Sequence, residues 1–96
     1  MIKNIRNYYK NTKVALDNNE FSYCTFEKCV LEFSGTGPVA LTNCTFDKVT
    51  WTFSGPAENT LKFMKAMYHG MGEGGRQVIE KTFEEIKANN QESNAE

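Results

Sequence analysis

From Leu16 onward an apolar residue falls at every fifth position. The series reads Leu16, Phe21, Phe26 and Leu31, slips at Ser34-Gly35-Thr36, and resumes at Leu41, Phe46 and Trp51. A small residue stands two places ahead of most of them: Val14, Cys24, Cys29, Val39, Cys44 and Val49. A second slip covers Ser54-Gly55-Pro56, and Asn59-Thr60-Leu61 closes the run. A longer repeat overlies the short one. Cys24-Thr25-Phe26-Glu27-Lys28 returns as Cys44-Thr45-Phe46-Asp47-Lys48, and Phe33-Ser34-Gly35 returns as Phe53-Ser54-Gly55, each twenty residues on. Self-similarity at a fixed period signals stacked structural units. Five residues match neither the strand period of two nor the helical 3.6. They fit a coil whose sides are very short strands joined by tight corners, four sides to a coil. Phe26 is then expected under Phe46, Cys24 under Cys44 and Leu31 under Trp51.

The flanks read differently. Residues 1–13 hold no clear period: Ile2, Ile5 and Tyr9 fit a helical face, but Asn4, Asn7 and Asn11 weaken a helix, and an extended lead-in covering the first coil is equally open. After the repeat, Ser54-Gly55-Pro56 supplies a helix start, with Leu61, Met64, Met67 and Tyr68 on one face up to Gly70. The glycines of 70–75 predict a loop, and Val78, Ile79, Thr82, Phe83 and Ile86 form the inward face of a second helix. The expectation is one domain over 1–88: lead-in 1–13, coils 14–56, helix 57–69, Gly-rich loop 70–75 and helix 76–88. The polar stretch 89–96 is expected to be a disordered tail. The class is mainly β with C-terminal α, a β-helix of about two and a half coils capped by two helices. So short a stack exposes both its ends, and a second subunit could cap one.

A formal net charge of −1 argues against general capture of duplex nucleic acid. The charge is uneven: residues 1–13 carry Lys3, Arg6, Lys10 and Lys13 without an acid, while residues 80–96 are rich in Glu. That asymmetry either steers subunits together or is solvated surface. No apolar run exceeds three residues, the length of Val39-Ala40-Leu41, which is far too short to span a membrane. Three cysteines, all in the repeat's small position, read as buried thiols of a reducing compartment, so a cytoplasmic location is expected. His69 is the only histidine and no paired cysteine spacing is present, so no metal site or cofactor is expected.

Two stretches hold candidate chemistry. Glu73-Gly74-Gly75-Arg76 places flexible backbone and a guanidinium at a helix start, which favours an anion, although glycines there also simply make a turn. On the preceding helix Lys62, Lys65 and His69 share one face that leads toward the loop, with Tyr68 beside them to stack on a ring. That stripe is otherwise a solvated helix face. Tyr9 or Tyr8 offers a further stacking ring. The candidate ligand-binding residues are therefore Arg76, Gly74, Gly75, Tyr68, His69, Lys65 and Tyr9. His69 has no recognisable acid or nucleophile partner, and no enzyme is expected.

The repeat resembles the pentapeptide-repeat family, right-handed quadrilateral parallel β-helices built on a small-polar-apolar-x-x unit. It departs from that pattern in its Phe and Trp centres, its Cys and Val in the small position, and its two glycine slips. Over its whole length the chain is similar to small proteins of bacteria and their phages. The residues that carry this likeness are the Cys-x-Phe repeat, Phe53-Ser54-Gly55-Pro56-Ala57, Met67-Tyr68-His69-Gly70, Gly74-Gly75-Arg76 and Phe83-Glu84-Glu85-Ile86. It is similar to phage anti-CBASS sponges, which sequester cyclic nucleotide signals, in being small and without catalytic groups. The resemblance implies a homo-oligomer that binds a small anionic ligand such as a cyclic dinucleotide, within the host cytoplasm. The alternative is a structural or oligomerisation scaffold, or an inhibitor that binds a host protein.

Overall fold

The computed structural model of the chain describes residues 1–88, and the tail expected over 89–96 lies outside the described residues. The chain divides into two compact units, Met1–Thr60 and the residues from Leu61 onward. Among the described residues the class is mainly β strands with two C-terminal helices.

The first unit lays the chain down in three passes of three short strands. The first pass holds β1 (Ile2–Ile5), β2 (Tyr8–Lys10) and β3 (Lys13–Ala15). The second holds β4 (Asn19–Ser22), β5 (Thr25–Glu27) and β6 (Val30–Phe33), and the third β7 (Val39–Thr42), β8 (Thr45–Asp47) and β9 (Thr50–Phe53). Corresponding strands pair in parallel into three sheets, ordered β1-β4-β7, β2-β5-β8 and β3-β6-β9. Phe26 pairs with Phe46 and Leu31 with Trp51, as the twenty-residue period predicts.

Two expectations are corrected. Residues 1–13 are not a lead-in: they carry β1, β2 and the start of β3, so three passes replace two and a half. Their inward positions are Asn4, Tyr9 and Val14, paired with Phe21, Phe26 and Leu31 seventeen residues on. That register differs from the later twenty, which hides the first pass from a search for fixed periods. Each pass also has three strands where the five-residue unit suggested four sides. The stretch that closes a pass carries no strand.

Corners repeat as faithfully as strands. Arg6, Tyr23 and Asn43 follow β1, β4 and β7 with φ of 56°, 56° and 52°, and Asn11, Lys28 and Lys48 follow β2, β5 and β8 with φ of 55°, 53° and 53°. The left-handed region costs a non-glycine residue roughly 1 kcal/mol or more. Hydrogen bonds between passes offset that cost. The Arg6 and Tyr23 N–H groups donate to the Ser22 and Thr42 carbonyls, both at 2.9 Å. The next bonds run the other way, from Thr25 and Thr45 N–H to the Asn7 and Cys24 carbonyls at 2.9 Å. The Arg6 guanidinium also lies 5.0 Å from the centre of the Tyr23 ring, a cation–π contact.

Inside, Leu16, Phe21, Cys24, Phe26, Cys29 and Leu31 are almost fully buried. The rings of Tyr9, Phe26 and Phe46 form a column, with centroids 5.0 and 5.4 Å apart and planes within 11° and 5°. Cysteine fits where a larger side chain would push this column aside. Its thiol also finds an acceptor: Cys24 Sγ donates to the Asn4 carbonyl at 3.3 Å and Cys44 Sγ to that of Phe21 at 3.4 Å.

The closing stretches are held by Asp17. Its Oδ2 accepts from the Ser34 N–H at 2.8 Å, and its Oδ1 accepts from Gly35 at 2.8 Å and Thr36 at 3.0 Å. Gly35 has φ +81°, which lets three successive N–H groups converge. Desolvation pushes the Asp17 carboxyl up, but the donors of Ser34, Thr36 and Gly35 together outweigh it and hold the pKa at about 2, against an ordinary 3.8.

Helix α1 (Gly55–Gly70) starts before, and α2 (Gly72–Lys87) well before, the predicted bounds. The Gly-rich loop of 70–75 thus shrinks to the junction at Met71, and most of its glycines are helical. Gly72, with φ +67°, makes the turn. Gly75 is buried, and a Cβ there would sit 2.2 Å from the Met67 carbonyl oxygen and 2.8 Å from Met71 Cβ.

Two outcomes follow from these contacts. Gly75→Ala forces the two helices apart and lowers stability by about 1–3 kcal/mol, visible as a drop in Tm. Asp17→Asn lowers Tm at neutral pH. Because the folded pKa lies below the unfolded one, the native carboxylate's contribution is complete above about pH 4 and is lost as pH falls toward 2. The Tm gap between the native chain and Asp17→Asn should therefore narrow across that window, and a gap independent of pH would contradict this account.

Candidate functional site

The helical unit contains a pocket of about 470 Å³ between α1 and α2. Its α1 wall comes from residues spaced three and four apart, which helical geometry stacks on one face. Leu61 and Met64 are its apolar members and Lys65, Tyr68 and His69 its polar ones. Across from them, α2 contributes Ile79, Glu80 and Phe83. Ile79 is buried, and it anchors the floor. The Tyr68 and His69 rings meet edge to face, with centroids 5.3 Å apart. The result is an apolar floor under a rim with an ammonium, a carboxylate, an imidazole and a phenol.

This arrangement can hold a flat, partly apolar molecule carrying both an anionic group and N–H donors. Tyr68 offers a face or edge to a ring. Lys65 is a point charge for phosphate or carboxylate. Glu80 accepts hydrogen bonds from ring or exocyclic N–H groups, as carboxylates do from bases. The volume lies within the range typical of small-molecule sites, roughly 300–1,000 Å³.

The residues singled out in the sequence are divided by the fold. Lys65, Tyr68 and His69 meet in the pocket. Arg76 is not among its lining residues: its guanidinium pairs with Glu73 Oε1 at 3.5 Å, one helical turn back. Since α2 starts at Gly72, Arg76 stands beyond the first turn, and the first-turn acid Glu73 already occupies the positive end of the helix. Gly74 faces open space, while Gly75 is committed to the helix crossing. Tyr9 belongs to the β unit, where its ring stacks on Phe26 and its hydroxyl accepts from Asn7 Nδ2 at 3.0 Å. The Tyr8 hydroxyl donates to the Glu27 carboxylate, which raises the phenol's pKa and lowers that of Glu27.

Glu80 was not distinguished by sequence reasoning. Its signal was available: it follows the inward Ile79 and precedes Phe83 by three, so it borders the apolar face of α2. Among the described residues no cluster of three or more His, Cys, Asp or Glu is placed to hold a metal ion. No helix among them is long and apolar enough to cross a membrane.

A comparison of the chain with protein-family models, curated proteins and solved structures finds no match.

Proposed function

We propose that this chain is a non-catalytic binding protein whose helical unit sequesters a small anionic ligand of the cyclic dinucleotide class. The convergence of Lys65, Tyr68, His69 and Glu80 over an apolar floor carries this reading. One base stacks on Tyr68, its N–H groups donate to Glu80, and a phosphate pairs with Lys65. The β unit serves as the scaffold. We read its three passes as a short parallel β-helix, a reading supported by the cycling of strands through three sheets and by the corners in register. We read the role as sequestration without turnover, in keeping with the stacking, hydrogen-bonding and charge contacts the pocket offers.

A protein-binding scaffold is the second reading. Phe63 on α1 and Ile86 on α2 favour it: both are exposed, Ile86 against the inward position expected from its spacing, and large apolar side chains on helices commonly mark protein contacts.

Isothermal titration with cyclic di- and trinucleotides, followed by chromatography of ligand recovered from denatured protein, separates these readings. Sequestration predicts saturable binding and release of unaltered ligand. Lys65→Ala and Tyr68→Ala should each weaken affinity about tenfold or more, the scale of one charged hydrogen bond or one stacked base. Arg76→Ala should leave affinity within about twofold, because the guanidinium lies outside the pocket lining. Loss of binding in Arg76→Ala with none in Lys65→Ala would move the ligand to the start of α2. Absence of binding to every nucleotide would leave the scaffold.

A further inference from the structure

The three interior columns of the β unit end unequally. In the second pass Phe21, Phe26 and Leu31 are 2%, 0% and 0% exposed, whereas their third-pass partners Leu41, Phe46 and Trp51 are 39%, 38% and 47% exposed. Phe53, which continues the Phe33 position, is exposed too. The strands beneath them, β7, β8 and β9, are edge strands, each paired on one side only within its sheet. They read VALT, TFD and TWTF, with Asp47 as their one charge. Edge strands that remain solitary are guarded by charge, by proline or by a bulge. These strands carry none of the three beyond that single aspartate.

The opposite end is guarded. Its strands and first corner carry Lys3, Arg6, Lys10 and Lys13 with no acid. Two of its three inward positions are polar and tied together: Asn4 Nδ2 donates to the Glu20 carbonyl at 3.1 Å, Tyr9 Oη to Asn4 Oδ1 at 3.5 Å, and Asn7 Nδ2 to Tyr9 Oη at 3.0 Å. Laid against Leu41 and Phe46, these groups would lose water and gain no partner. Laid against another first-pass end, Lys3 and Arg6 would face their own copies, whereas Lys10 and Lys13 are already matched by Glu27 and Glu32. Only the third-pass end suits its own like.

We infer that the β7–β8–β9 end is the docking surface for a second copy of this chain, joined end to end about a two-fold axis. A contact of this kind is self-complementary and closes at two subunits. It extends the ring column of Tyr9, Phe26 and Phe46 into the partner and supplies the free edges with backbone partners. The inference stands on the β unit alone and does not depend on the ligand proposed for the helical unit. It gives the homo-oligomer expected from the sequence a definite face.

Trp51 is the chain's only tryptophan, so the native protein reports on this surface by itself. Sedimentation velocity over a dilution series should show twice the single-chain mass giving way to the single chain. Trp51 emission should shift red, and its quenching by acrylamide should rise, over the same concentrations. Leu41→Lys places a guarding charge on β7 and should shift dissociation to at least tenfold higher concentration, while Lys3→Ala at the other end leaves it unchanged. A single-chain mass at every concentration would overturn the inference, with shielded Trp51 then pointing to cover by the chain's own residues. A mass climbing past two chains, or a doubled mass with unmoved Trp51 emission, would overturn it equally. Should Leu41→Lys fail to fold, the dilution series of the native chain still decides.

Discussion

Parallel strands laid side by side by one chain require it to return to its starting line after every pass. The whole β unit depends on that return being in register. Each inward ring rests on one from the neighbouring pass, so an error of one residue would turn Phe26 outward and put a charged neighbour in its place. The stacked left-handed corners at Arg6, Tyr23 and Asn43, and at Asn11, Lys28 and Lys48, prevent that error. Asparagine tolerates this backbone region, but Arg, Tyr and Lys do not favour it. Their presence shows that the bonds between passes dictate the corner and the side chain follows.

Asp17 performs the same task where the chain cannot use a two-residue corner. The first closing stretch is short and the second long, which is why the register changes from seventeen to twenty. One carboxylate gathering three N–H groups from Ser34, Gly35 and Thr36 ties the longer stretch to the shorter. The positive φ of Gly35 makes it possible, so the glycine that interrupts the five-residue series is also what allows the stack to continue.

Much of this was legible from residue order, and the omissions have physical causes. Five-residue spacing from Leu16 to Trp51 found the second and third passes because their inward residues are large and apolar. The first pass escaped because its inward positions, Asn4 and Tyr9, carry polar atoms, and because Leu16 fills a corner two residues after Val14 and shifts the phase. The helices follow from Pro56 and the apolar spacing, but the glycines of 70–75 read as a loop. At Gly75 the missing side chain serves packing against the Met67 carbonyl, which propensity cannot distinguish from flexibility. Three of the four convergent groups of the candidate site are legible in the sequence: Lys65, Tyr68 and His69 share a helical face by spacing alone, whereas Glu80 joins them only through the fold of the hairpin.

A stack of three passes has little interior to spend. Its flanks are taken up by ladders such as Lys13 with Glu32 at 2.8 Å, in which the lysine, then Ser54, keeps the carboxyl below its ordinary value. Such exposed pairs add little stability but occupy the surface with matched charge. That leaves the ends of the stack and the helical unit as the surfaces the ladders do not reach. At one end polar bonds and cations close the surface. At the other Leu41, Phe46 and Trp51 continue an interior that has run out of chain. Burying them needs no new interaction type, only one more layer like those already formed, and a second copy carries such a layer at the corresponding end.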